Sequence, residues 1–263
     1  MRVGRLNMIE IKDIIVKTCI VREKTRPYKL QIEAWALDHA SRMGINSPKV
    51  LNYYRNGSGQ EVLVLEKIPG NHLDSSIQPN LMMYRKLGEQ LSRRFNLNCG
   101  FGWIDPETKH GLYNTWISFL LDFVQQYGGQ LCKHGIISNQ NLEYIKLIIS
   151  DVIPSAIYFS TIVHRDLKPQ NIIYSRSRVF LIDWENVILG DPAFDFALFK
   201  ARFGGGLRHK YLSKYSEINQ ITELIYEIVA LIGWIDFCIT YRYGINGKTK
   251  KLQKLLSNLR SIN

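Results

Sequence analysis

The sequence lacks the marks of several protein classes. It has four cysteines in 263 residues, at 19, 99, 132 and 238. No two stand close enough for a CxxC metal or redox pair. The set reads as small core residues of a reduced, cytoplasmic protein, which excludes a disulfide framework. The N-terminus, "MRVGRLNMIEIKD", has no apolar segment of the signal-peptide kind. The most apolar stretches, "LIISDVIPSAIYFSTIV" and "LIYEIVALIGWIDFCIT", are interrupted by Asp, Glu or Pro, so they read as buried helices and not as membrane spans. No internal repeat and no low-complexity block is present. Acidic residues are the scarcer charge, 23 against 34 basic, for a formal net charge of +11. That balance suits nucleic acid, an anionic surface or a phosphate-bearing ligand. Nucleic acid is disfavoured, because the basic run "GKTKKLQK", Gly247 to Lys254, has no interleaved aromatics and reads as a solvated helix face.

What is present suggests one large or two small domains. The first seventy residues read as strand, strand, helix, strand. "MIEIK" alternates loosely, and "DIIVKT" is a short β-branched run ending near Lys17. "KLQIEAWALDHASRMG" carries apolar residues at helical spacing, with Gly44 as its C-cap. "SPKVLNYY" and "EVLVLEKI" return to extended chain, and Pro69-Gly70 is a break. The next ninety or so residues read as mostly helical, followed by a short β segment, "TIVHRD", "NIIY" and "VFLID", and by further helix. A small β-rich lobe, residues 1–68, therefore precedes a larger helical one, residues 69–263.

The β segment of the second lobe holds the chemistry. Within "VHRDLKPQNIIY" and "FLIDWENVILGDPAFDFA", Asp166 is followed five positions on by Asn171, and Asp183 ends an apolar run. The "SRSR" turn would fold Asp183 back beside Asn171. Phosphoryl transfer needs a group to orient the acceptor hydroxyl, ligands for a divalent metal and a grip on the nucleotide. Asp166 suits the first task. Asn171 and Asp183 supply the hard oxygen ligands that Mg²⁺ prefers.

"HRDLKPQN" resembles the catalytic loop of the protein-kinase superfamily, and "LIDWENVILGDPAFDFA" resembles its aminoglycoside phosphotransferase and choline-kinase-like branch. The resemblance covers nearly the whole chain. It implies an α+β, two-lobed, protein-kinase-like fold that transfers the γ-phosphoryl of ATP or GTP, with Mg²⁺, to a hydroxyl of an aminoglycoside-like or other hydroxylated small molecule. Lys17 matches the family's nucleotide lysine, and Glu33 the helix glutamate that pairs with it. Glu66 and Ile68 in "VLVLEKIPG" match the hinge whose backbone meets adenine. Lys168 is placed between a phosphate contact and a surface lysine. The resemblance also implies that Asp195 is a buried brace for the catalytic-loop backbone and that "FGWID" and Trp116 belong to a helical insert, while His164 is read as a structural histidine that supports the loop. Trp103, Trp116 and Trp184 are expected to pack rather than to stack on substrate. Asp191 is read as a helix cap.

Two departures qualify the match. Arg165 stands where this branch usually has Gly, and Lys168 is typical of serine/threonine protein kinases. A protein kinase is thus one alternative, although only seven residues separate Asp183 from Asp191 and no activation segment fits there. The other departure is at the start. A Gly-rich phosphate loop normally lies two strands before the lysine, yet one glycine, Gly4, precedes Lys17. "GRLN" reads as the tail of that loop, with the first strand missing, and a kinase-shaped binding protein of impaired catalysis is the second alternative.

Overall fold

The computed structural model describes residues 6–19, 29–73, 81–93, 97–153, 160–203 and 219–262. Strands β1 (Leu6–Ile11) and β2 (Ile14–Cys19) form a hairpin in which Ile11 faces Ile14. The two-residue loop puts Lys12 at φ 49°, the positive φ that such tight hairpins require. β4 (Glu61–Glu66) lies antiparallel between β2 and β3 (Val50–Arg55), giving the order β1-β2-β4-β3. Helix α1 (Lys29–Arg42) covers this sheet with Leu30, Ala36, Leu37 and Ala40, all fully or almost fully buried. Its end is set by Gly44 at φ 71°, and the Ile45 N–H turns back to the Ala40 carbonyl, so the predicted glycine cap is there. Gly4 lies outside the described residues; Leu6 and Asn7 of the same motif are in β1.

After Pro69 the chain passes close to the hairpin of the second half. A Cβ on Gly70 would stand 2.5 Å from the Tyr174 carbonyl, so only glycine fits, and β5 (Asn71–His72) then pairs with β9 (Ile172–Ser175). Helix α2 (Leu81–Leu91) follows. The expected helical insert at "FGWID" is instead β6 (Phe101–Ile104), paired with β7 (Gly111–Tyr113). Gly100 and Gly102, at φ 80° and 79°, take conformations that a helix does not admit. With β5, these strands interrupt the stretch expected to be mostly helical. Helix α3 (Trp116–Phe123) is capped by the Thr115 side chain and continues through a π-turn into α4 (Gly129–Lys133). α5 (Asn139–Val152) is capped by Ser138.

β8 (Thr161–Val163), β9, β10 (Arg178–Leu181) and β11 (Ile188–Gly190) carry the motif, and β11 joins β8 to β6 in the order β7-β6-β11-β8. Helices α6 (Ala193–Phe203), α7 (Gln220–Thr240) and α8 (Asn246–Ile262) complete the chain. One core is built on α3, α5, α6, α7 and α8. The other runs from Leu30, Leu37 and Leu63 of the first half to Leu167, Ile172 and Trp184 of the second. The first sheet is thus packed in one core with the motif hairpin. α8 departs from the solvated face expected of it. Lys251 turns inward, pairing with buried Glu227 at 2.8 Å and donating to the Lys200 and Ala201 carbonyls at the end of α6. Among the described residues no helix is long and apolar enough to cross a membrane.

Candidate active site

β8 delivers the chain into the "HRDLKPQN" loop at Val163. His164 is buried and fixes the loop from inside: its Nε2–H donates to the Ile182 carbonyl at 2.9 Å, and its Nδ1 accepts the Asp166 N–H at 3.2 Å. Burial holds its pKa below the ordinary histidine value, so the ring is a neutral strut. It lies 4.6 Å from the ring of Trp184, which is itself buried and bonded to the Leu181 carbonyl. Asp195, from α6, accepts the His164 N–H on Oδ2 at 2.7 Å and the Arg165 N–H on Oδ1 at 2.8 Å. Burial pushes its pKa up to about 7, against the pull of those two N–H groups and of Arg202.

Arg165 is at φ 64°. Glycine takes that conformation without strain, and an arginine does not. The side chain is seated over aromatic rings, 4.2 Å from the Trp103 centroid and 5.5 Å from that of Phe123. Backbone strain of about 1 kcal/mol or more and a cation–π contact of about 0.5–2 kcal/mol oppose each other. Arg165→Gly is therefore expected to change the unfolding free energy by less than about 1 kcal/mol. Denaturant titration checks this; a clearly larger loss would mean that the aromatic seat outweighs the strain.

The Asp166 carboxylate sits at the centre of a set of donors. Arg202 Nη1 meets Oδ1 at 2.6 Å. Lys168 Nζ meets Oδ2 at 2.9 Å, and Asn171 Nδ2 meets the same oxygen at 3.0 Å and the Asp166 carbonyl at 2.9 Å. Burial alone would raise the Asp166 pKa, but Arg202 and Lys168 outweigh it and hold the carboxyl below the usual aspartate value. By donating its nitrogen to Asp166, Asn171 turns its amide oxygen the other way.

The β9–β10 hairpin then brings Asp183 back. Arg176 and Ser177 both have positive φ, 43° and 62°, as a two-residue turn of this kind needs, and Ile182 donates to the Asn171 carbonyl at 3.0 Å. Asp183, at φ 66°, receives Lys17 on Oδ1 at 2.8 Å. The same ammonium reaches Glu33 Oε1 at 2.7 Å. Lys17 comes from β2 and Glu33 from α1, and both are buried. Burial disfavours the Lys17 charge, yet the two carboxylates more than compensate and raise its pKa. Burial lifts Glu33 to about 7 despite Lys17. Asp183 keeps 26 % of its side chain exposed. Glu66 and Ile68 lie apart from these groups, where β4 leaves the sheet toward Pro69; the Glu66 N–H donates to the Lys49 carbonyl, and Ile68 is buried.

The structure thus gathers Lys17, Glu33 and Asp183 in one group and Asp166, Lys168 and Asn171 in another, joined through the β9–β10 hairpin. Asp191 caps α6 through the Ala193 N–H at 2.9 Å and accepts the Tyr226 hydroxyl, which receives the Trp116 indole N–H. Trp116 is buried, and Trp103 packs edge-on against Phe119. Three residues near the site have surroundings that the sequence did not disclose. Trp103 was assigned to packing without its partner Arg165. Arg202 stands seven residues after Asp195, on the same helix face two turns on, a spacing that could have disclosed it. Glu185, two residues after Asp183, has a buried Oε2 with no hydrogen-bond partner.

The sequence profile of the phosphotransferase enzyme family matches residues 18–224. The chain belongs to that family. It is a phosphotransferase with an alcohol group as acceptor, a small-molecule kinase by family. No curated protein matches it. Solved structures of the same fold include a thermostable mutant of the aminoglycoside phosphotransferase APH(4)-Ia in ternary complex with AMP-PNP and hygromycin B. It is 16 % identical with a TM-score of 0.69, over 97 % of this chain and 92 % of that one. The GDP and kanamycin complex of APH(2")-IIia is also 16 % identical, with a TM-score of 0.60 over 96 % and 88 %. A choline/ethanolamine kinase family protein from Mesorhizobium loti is 15 % identical, with a TM-score of 0.63 over 97 % and 83 %.

Proposed function

We propose that this phosphotransferase moves the γ-phosphoryl group of ATP or GTP to a hydroxyl of a small hydroxylated metabolite in a reduced cytoplasm. The observation that carries the reading is the Lys17 ammonium held between Glu33 at 2.7 Å and Asp183 at 2.8 Å, at the end of the β9–β10 hairpin that follows the Asp166–Asn171 loop. A buried, doubly paired cation beside a part-exposed carboxylate is suited to a polyanion that arrives with its own cation. Residues 1–68 serve as the nucleotide half, with Glu66 and Ile68 at the adenine edge, and 69–263 as the half that receives the acceptor.

The donor set fits Mg²⁺. Among the described residues no cluster of three or more His, Cys, Asp or Glu could hold a metal by itself. Mg²⁺ characteristically takes one or two protein oxygens and completes its shell with phosphates and water. Asn171 and Asp183 would hold it, and the orphaned Glu185 oxygen is close in sequence. Bound there, the ion would neutralise charge on the phosphates. Lys17 would grip the α/β-phosphates, with Glu33 keeping the ammonium in place. Asp166 would accept a hydrogen bond from the acceptor hydroxyl. The acceptor oxygen forms its bond to the γ-phosphorus as the bond to the nucleoside diphosphate breaks, and the proton passes to Asp166. A carboxylate with a lowered pKa is a weak base, so Asp166 orients the hydroxyl first and takes the proton late. A loose transition state needs no more than that. Positioning and charge neutralisation carry the rest.

The protein-kinase alternative is disfavoured by β11, which occupies Ile188–Gly190 within the short interval from Asp183 to Asp191 and locks it to β8 and β6. The test is Asp183→Asn. A metal ligand acts through its cation, so Mg·ATP affinity is expected to fall at least about tenfold while metal-free ATP affinity changes little. Equal losses with and without Mg²⁺ would remove Asp183 from the metal role.

A further inference from the structure

Asp166 carries a partner that the reaction itself does not require. In an in-line transfer the acceptor lies opposite the leaving nucleoside diphosphate. Asn171 and Lys168 occupy Oδ2, on the side of the metal ligands, so Oδ1 is the oxygen that faces the acceptor. It is taken by Arg202 at 2.6 Å. Only part of that guanidinium is used: its Nε is buried with no hydrogen-bond partner. Beside it is Trp234, whose ring lies 5.9 Å from the Arg202 guanidinium carbon and 4.6 Å from the Lys248 ammonium. The carboxylates of the neighbouring helix face are already committed. Glu223 pairs with Lys200, and Glu227 with Lys200 and Lys251. The wall next to Oδ1 is therefore cationic and aromatic.

A guanidinium presents a planar fork matched to carboxylate and phosphate oxygens. A cationic acceptor entering here would meet Arg202 and Lys248. An anionic one would give the guanidinium a new partner at the moment its hydroxyl displaces Arg202 from Oδ1. We propose that Arg202, backed by the Trp234–Lys248 pair, recognises an anionic group on the acceptor, so that the acceptor is a hydroxylated acid or phosphate ester and not a polycation. This rests on the kinase reading above and gives it a substrate class.

The test uses four probes that share a ring and hydroxyls and differ in charge: glucose, glucosamine, glucuronate and glucose 6-phosphate. Each is titrated at pH 7 into protein loaded with Mg·AMP-PNP. At least one of the two anions is expected to bind about tenfold or more tighter than glucose, with glucosamine weaker than both. Arg202→Gln is expected to erase that preference, whereas Asp166→Asn keeps it. Were Arg202 only a brace for Asp166, Arg202→Gln would leave the order of the four unchanged. Tightest binding by glucosamine, no preference for an anion, or no binding by any of the four overturns the proposal. AMP-PNP binding is measured first, with and without Asp183→Asn. Failure at that step rejects the kinase reading and the acceptor class with it; failure only at the sugars rejects the acceptor class alone.

Discussion

Replacing Asp166 with alanine should lower phosphoryl transfer by about two to four orders of magnitude, the range for a positioned acid–base group, without weakening nucleotide binding. The separation follows from where the contacts lie. Asp166 is bonded to Arg202, Lys168 and Asn171, while the nucleotide grip proposed for Lys17 is paired with Glu33 and Asp183. Removing the Asp166 carboxylate also leaves two cations unpaired near the site of the γ-phosphate. Mg·ATP affinity should therefore hold or rise, never fall in step with turnover. Asp166→Asn keeps the shape and the hydrogen bond to Asn171, so it should lose somewhat less. Turnover is read on any acceptor the wild type phosphorylates, and affinity by calorimetry. An alanine variant that kept more than a few per cent of turnover would take Asp166 out of the reaction.

The site was legible where its parts are local. Asn171 and Asp183 flank the β9–β10 hairpin, whose tight turn dictates that its strand ends meet, and Asp166 lies in the loop just before it. The wider grip was legible only through the family, since no local rule ties Lys17 on β2 to Glu33 on α1 and to Asp183 far along the chain. β6 was misread because the resemblance placed "FGWID" in a helical insert, and the periodicity of so short a run could not correct it. Gly100 and Gly102, both at positive φ, decide it. β5 and β11 are too short to show any alternation. Lys251 was hidden in a run of exposed-looking lysines, because what turns it inward is the buried Glu227 on another helix. Arg202 is the instructive case. Its helix was expected, and so was Asp195 two turns earlier, but the partner that gives Arg202 meaning, Asp166, comes from the loop those residues brace.

That brace supports the second large effect, which falls on stability. Above pH 7, where the Asp195 carboxylate is ionised, Asp195→Ala should lower the unfolding free energy by about 3–6 kcal/mol, because two hydrogen bonds to a charged group are lost, at about 1.5–3 kcal/mol each, and the two donors stay buried. The donors are the N–H groups of His164 and Arg165, at 2.7 and 2.8 Å from the carboxylate. One of them belongs to the residue held at φ 64°, so the strain there loses its restraint. The neighbouring Asp166 is positioned by the same turn, with its N–H on the His164 ring at 3.2 Å, so turnover should fall together with stability. Asp195→Asn keeps one carbonyl oxygen for one N–H but turns an NH₂ toward the other, and should lose an intermediate amount. Urea titration of the three proteins measures the order. A loss below about 1 kcal/mol for the alanine variant would show that the two N–H groups find other partners. A folded alanine variant with undiminished turnover would show that the loop holds its geometry without α6.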